Sequence, residues 1–101
     1  MNRTEHLLTC LAEEAAEVAH RVSKALRFGL DEVQPGQKLT NAQMIEQELN
    51  DLIAVADMLM EFRVLTKPHM IPDFEAQIEA KKARVERFME YAERRGTLRP
   101  D

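Results

Sequence analysis

The residues in this chain best equipped for chemistry are two short acidic clusters, Glu13, Glu14 and Glu17 in EEAAE and Glu48 and Asp51 in ELND. Residues three or four apart share a helix face, so Glu14 projects with Glu17 and Glu48 with Asp51. Like charges at that spacing repel and weaken a helix unless a cation sits between them. The flanking residues are core-like, and a carboxylate among such residues must find a cation or take up a proton. If the two helices pack antiparallel, Glu14, Glu17, Glu48 and Asp51 converge as an all-oxygen ligand set for a hard divalent ion. Such a site leaves coordination positions for water and phosphate; Mg2+ is its natural occupant and Mn2+ also suits it. Two other readings stand beside this one. EEAAE can be an ordinary solvated acidic face. Alternatively, Glu17-Val-Ala-His20 has the Glu-x-x-His form used by carboxylate-bridged iron bundles. That element occurs once, the second cluster offers Glu48-x-x-Asp51 instead, and the third helical segment has no histidine to complete the set.

Cations lie close in sequence to these clusters. Arg21, Lys24 and Arg27 follow EEAAE, and Lys81 occupies a place in the third segment where its apolar stripe calls for a hydrophobe. Lys81 can turn its ammonium toward phosphate or the acids, or simply carry its stem past the core to solvent. No glycine-rich phosphate loop and no Cys/His zinc pattern is present.

Three helices must position these groups. From Asn2 to Phe28, Leu8, Leu11, Ala15, Val18, Val22 and Ala25 recur at the spacing of one helical face. Asn2 with Glu5 forms a capping box and Gly29 a C-terminal stop. Leu30 to Leu39, with Pro35-Gly36, reads as a loop. Thr40 and Gln43 make a second capping box, opening a helix whose stripe is Ile45, Leu49, Leu52, Ala56 and Leu59, ending near Thr66 before Pro68. His69 to Pro72 is a turn. Asp73 caps a third helix with stripe Phe74, Ile78, Val85, Phe88 and Ala92, ending near Gly96. In helix two, Val55, Met58 and Phe62 form another apolar line beside the first, more than a single partner helix can cover. The expected fold is therefore all-α, a bundle of three main helices completed as a four-helix-type bundle by homo-oligomerisation.

With 101 residues the chain is expected to form one domain, residues 1–101, with a modest core. The formal charge of -4 argues against duplex nucleic acid or an anionic membrane as partner. Its single cysteine, Cys10, forms no internal disulfide, and no secretory leader pattern opens the chain, which fits a reducing cytoplasm. The longest mostly apolar stretch, Leu52 to Leu65, is interrupted by Asp57, Glu61 and Arg63, so no membrane span is expected.

The order EEAAE, spacer, ELND, set in LAEEAAEVAHRVSKALRFG and ELNDLIAVADML, resembles the EExxE and ExxD motifs of the MazG-like, all-α nucleoside triphosphate pyrophosphohydrolases. The similarity runs through all three helices, with a spacer longer than in many relatives. It implies Mg2+-dependent cleavage of a nucleoside or deoxynucleoside triphosphate between the α and β phosphates, by a dimer or dimer of dimers. Carried onto this chain, it makes Glu14, Glu17, Glu48 and Asp51 the metal ligands and Glu13 a further acidic participant, a candidate base. Some relatives carry lysines just before the acidic motifs, where Cys10 and Met44 stand here. Phosphate contacts then fall to other cations, with Lys24, Arg27 and Lys81 the candidates. The alternative from another class is a helical module that binds a protein or nucleotide without catalysis.

Overall fold

A computed structural model describes all of residues 1–101 and is all-helical, with no strand. In chain order it contains α1 (Arg3–Phe28), α2 (Asn41–Glu61), a single 3-10 turn (Pro68–Met70) and α3 (Phe74–Arg95). The chain divides into two compact units, Met1–Thr66 and Lys67–Asp101. No helix is long and apolar enough to cross a membrane.

The helix starts in the first unit are built as their sequences require. The Asn2 side chain accepts from the Glu5 N–H at 2.8 Å while Glu5 accepts from the Asn2 N–H at 3.0 Å. Thr40 and Gln43 make the same reciprocal pair, at 3.1 and 2.9 Å. Each box satisfies donors that the first helical turn cannot. Gly29, at φ 101°, ends α1 and donates its N–H to the Ala25 carbonyl. Asn41 then ties the ends of the connecting segment together and is the one buried polar residue, 2% exposed. Its Nδ2 donates to the Gly29 carbonyl at 2.8 Å and to Glu32 Oε1 at 3.1 Å, and its Oδ1 accepts from Gln34 Nε2 at 2.8 Å. Backbone bonds from Asn41 N–H to Glu32 O and from Ala42 N–H to Leu30 O complete the closure. At the other end of the hairpin the Arg3 guanidinium sits 4.1 Å from the centre of the Phe62 ring. With Gly29 beside Asn41 at one end and Arg3 beside Phe62 at the other, α1 and α2 run antiparallel.

Helix α2 stops at Glu61, earlier than the expected Thr66. The reason is local: Arg63 adopts a left-handed φ of 60°, and the N–H groups of Val64 and Leu65 both turn back to the Leu59 carbonyl. The chain has thus left the helix before Pro68 can end it.

The faces that meet also differ from the expected stripes. On α1 the covered line runs Leu7, Leu11, Glu14, Val18, Arg21, Ala25, and Leu8, Ala15 and Val22 lie outside it. On α2 it runs Met44, Glu48, Leu52, Val55, Leu59, between the two stripes read from sequence, with Leu59 fully buried and Leu49 exposed. Apolar residues on α1 are distributed over an arc wide enough to hold two parallel lines, so spacing alone does not say which one meets α2. The consequence is a seam with apolar ends, Leu7 with Leu59 and Ala25 with Met44 being buried, and a polar middle containing Glu14, Arg21 and Glu48.

In the second unit, Asp73 precedes α3 in a left-handed conformation, φ 59°, and its side chain makes no capping hydrogen bond, unlike the cap expected from sequence. Gly96, at φ 75°, closes α3 with its N–H on the Ala92 and Glu93 carbonyls, and Arg94 and Arg95 lie in the last turn, where they complement the helix dipole. No residue of α3 is buried; Ile78, Val85 and Phe88 of its expected stripe are exposed.

Candidate metal centre

The polar middle of the α1–α2 seam brings together Glu14, Glu48 and Asp51, one carboxylate oxygen from each lying within 4.8 Å of the others. The helical repeat sets this up, since Glu48 and Asp51 are three residues apart and Glu14 stands on the antiparallel neighbour. Glu14 and Glu48 are half-buried and Asp51 is exposed, so the cluster sits at the mouth of the seam.

Glu14 carries the strain of the arrangement. Its Oε2 has essentially no solvent contact and no hydrogen-bond partner. Its carboxyl is pushed above the ordinary carboxylate range, first by desolvation, then by hydrogen bonding with the Glu48 side chain, then by the negative charges of Asp51, Glu48 and Glu17. These observations agree: two ionised carboxylates have no proton to share, which leaves Oε2 orphaned, whereas a proton on Glu14 can be donated to Glu48. A divalent cation relieves the same strain by neutralising the cluster instead. The donor set is all oxygen, multiply anionic and partly open, and so fits Mg2+ or Mn2+ better than the softer metals that prefer thiolate or imidazole.

Of the expected ligands, Glu17 is exposed and stands outside the converged trio, though near enough for its charge to act on Glu14. Glu13 is also exposed, on the same helix. The trio contains no histidine, and His20 is exposed. Lys24 is half-buried with its ammonium 5.9 Å from the Phe28 ring centre, and the Arg27 guanidinium lies 4.9 Å from the same ring. Lys81 is exposed on α3 in the second unit.

The cation that stands out structurally is Arg21, whose Nε is buried without a partner. Arg21 follows Glu14 by seven residues, two helical turns or about 10.5 Å along the same covered line. That spacing of seven was the available signal, but it becomes meaningful only once Glu14, rather than Ala15, is known to face α2. Comparison with protein-family models, with curated proteins and with solved structures finds no match.

Proposed function

We propose that the chain is a Mg2+-dependent, MazG-like nucleoside triphosphate pyrophosphohydrolase that acts as a homo-oligomer. The observation that carries this reading is the convergence of Glu14, Glu48 and Asp51 from two helices, with a Glu14 oxygen shut off from both water and any donor. The resemblance of EEAAE and ELND to the EExxE and ExxD motifs gives the site its reaction class.

In this reading Glu14, Glu48 and Asp51 hold the cation, and Glu17 adds negative charge beside them. When bound, Mg2+ offsets phosphate charge and acidifies water. Hydrolysis joins a water oxygen to the α phosphorus, breaks the bond to the α–β bridging oxygen, and releases a nucleoside monophosphate and pyrophosphate. Glu13, exposed and adjacent to Glu14 in sequence, accepts the proton that water loses. Arg21, with its unpaired Nε donor, and Lys24 and Arg27, three and six residues on, supply positive charge for the leaving pyrophosphate. Apart from Glu13, these groups act by holding charge in place before the reaction begins.

A panel of nucleoside and deoxynucleoside triphosphates incubated with Mg2+ tests the reading through its products. Monophosphate as the first product supports it. Diphosphate as the first product contradicts the cleavage position. No turnover of any triphosphate with either Mg2+ or Mn2+ favours a silent binding module.

A further inference from the structure

Helix α3, in the second unit, sorts its charges by sign around its circumference. Taking about 100° per residue, Glu75, Glu79, Glu86, Glu90 and Glu93 fall within an arc of about 60°. Lys81, Arg84, Arg87, Arg94 and Arg95 occupy a separate arc of about 140°, and Phe88 and Tyr91 lie inside it. Of the helix's cations only Lys82 stands apart, and it pairs with Glu79 at 3.3 Å, the one ion pair in the molecule. Glu90 borders Arg87 and Arg94 but forms an ion pair with neither, and the Arg94 guanidinium lies 5.9 Å from the Tyr91 ring centre.

A helix whose charges serve solubility alone gains from a Glu set four residues before a Lys or Arg. Helix α3 has one such placement, Glu90 before Arg94, and it is left unpaired. Elsewhere like stands beside like at spacings of three or four, where equal charges repel: Lys81 with Arg84, Arg84 with Arg87, Glu75 with Glu79, Glu86 with Glu90. The basic arc also holds two large rings out in solvent, Phe88 at 69% and Tyr91 at 55% exposure, and both line one open cleft with Arg84 and Arg87.

We propose that this arc of α3 binds single-stranded nucleic acid, its cations on the phosphates and Phe88 and Tyr91 stacked on bases. Charge complementarity selects a polyanion. The cations from Lys81 to Arg95 extend over about 21 Å of helix, and phosphates along one stacked strand recur about every 3.4 Å, so the row serves several phosphates in succession. The rings select an unpaired strand, because bases inside a duplex already stack on one another and offer the rings no face. A helix lying on a membrane carries Lys and Arg on its polar face, whereas the flank of α3 beyond Ile78, Val85 and Met89 carries the five glutamates. The assignment is independent of the triphosphate chemistry proposed for the first unit.

Fluorescence anisotropy of labelled mixed-sequence RNA and DNA strands, titrated with the full chain in EDTA over a salt series, tests it. The expected result is binding of at least one strand, tighter than of its duplex and weaker as salt rises. Arg84→Gln is expected to lower the salt slope by about 0.7, the loss of one phosphate contact. Phe88→Ala is expected to weaken binding at least fivefold, to about the extent that one lost stacking platform allows. Phe88→Tyr, which keeps the ring, and Glu86→Gln, on the acidic arc, are expected to lose no affinity. Helical circular dichroism checks each variant, and should Phe88→Ala lose helix, Phe88→Leu, apolar without a π face, takes its place. No binding of either strand at low salt, a duplex bound as tightly as its strands, or undiminished binding after loss of the Phe88 ring overturns the proposal. Phosphatidylserine vesicles that displace the strand assign the arc to a membrane surface and overturn it as well.

Discussion

Glu14 of α1 and Glu48 of α2 bring carboxylate oxygens within 4.8 Å of each other across an antiparallel seam, and Glu14 Oε2 is left with neither solvent nor a donor. Ordinary packing would put an apolar pair there, and Ala15, the next residue along, was available to face α2. The chain instead places like charges in its own helix–helix contact, an arrangement that disfavours the fold until a proton or a cation neutralises it.

Glu14→Gln removes the repulsion and much of the metal site together. In EDTA the variant melts higher than wild type. Saturation with Mg2+ raises the wild-type melting temperature, by about 1.4 kcal/mol of stability at tenfold over Kd, and leaves the variant nearly unmoved. Thermal melts of both proteins with and without Mg2+ check this; a variant that melts lower in EDTA contradicts it.

The raised pKa of Glu14 fixes the sign of a pH dependence. Between the ordinary carboxylate pKa and the raised value, the folded chain holds a proton that the unfolded chain has released, so stability falls as pH rises through that window. The destabilisation is complete above the raised pKa and absent below the unfolded one. Melts from about pH 4 to about pH 8 in EDTA are expected to show this loss in wild type relative to Glu14→Gln, and Mg2+ is expected to suppress it at the upper end.

Asn41 makes three side-chain hydrogen bonds that join the end of α1, the connecting segment and the start of α2. Asn41→Ala deletes them and leaves the Gly29 carbonyl without its side-chain donor, at a cost of about 2–4 kcal/mol. Denaturant unfolding measures that cost. A loss within about 0.5 kcal/mol, the range of an ordinary surface substitution, contradicts the pinning role.

Arg21→Met keeps the stem and removes the buried, unpartnered Nε. Without substrate the variant is expected to gain about 1 kcal/mol, since an orphaned donor no longer needs to be desolvated. Under the proposed function its KM for triphosphate is expected to rise, because that reading has the otherwise unpartnered Nε contact phosphate. Denaturant unfolding and steady-state kinetics on the same preparation separate the two effects.

Local chemistry was the most legible layer of the sequence. Both capping boxes and the Gly29 stop depend on residues three or so apart, and the structure forms them as expected. The convergence of Glu14, Glu48 and Asp51 followed from helical spacing plus an antiparallel hairpin. Choosing between parallel lines of a wide apolar arc was not legible, so Leu8, Ala15 and Val22 were read as core where Leu7, Glu14 and Arg21 are covered. The end of α2 was missed because Arg63 takes a left-handed conformation that no glycine signals. The exposure of Leu8, Val22 and Leu49 was not legible either, because helical spacing does not encode which neighbour lies against a line of apolar residues.

The proposed function makes Glu14, Glu48 and Asp51 the centre of a Mg2+-dependent pyrophosphohydrolase. Phosphorus NMR of a triphosphate incubated with the full chain and Mg2+ decides it, because pyrophosphate and orthophosphate give separate signals. Wild type is expected to release pyrophosphate and monophosphate in equal amounts, EDTA to stop the reaction, and Glu48→Gln to lower its rate at least a hundredfold. Orthophosphate with diphosphate as the first products, or a Glu48→Gln chain as active as wild type, contradicts the claim.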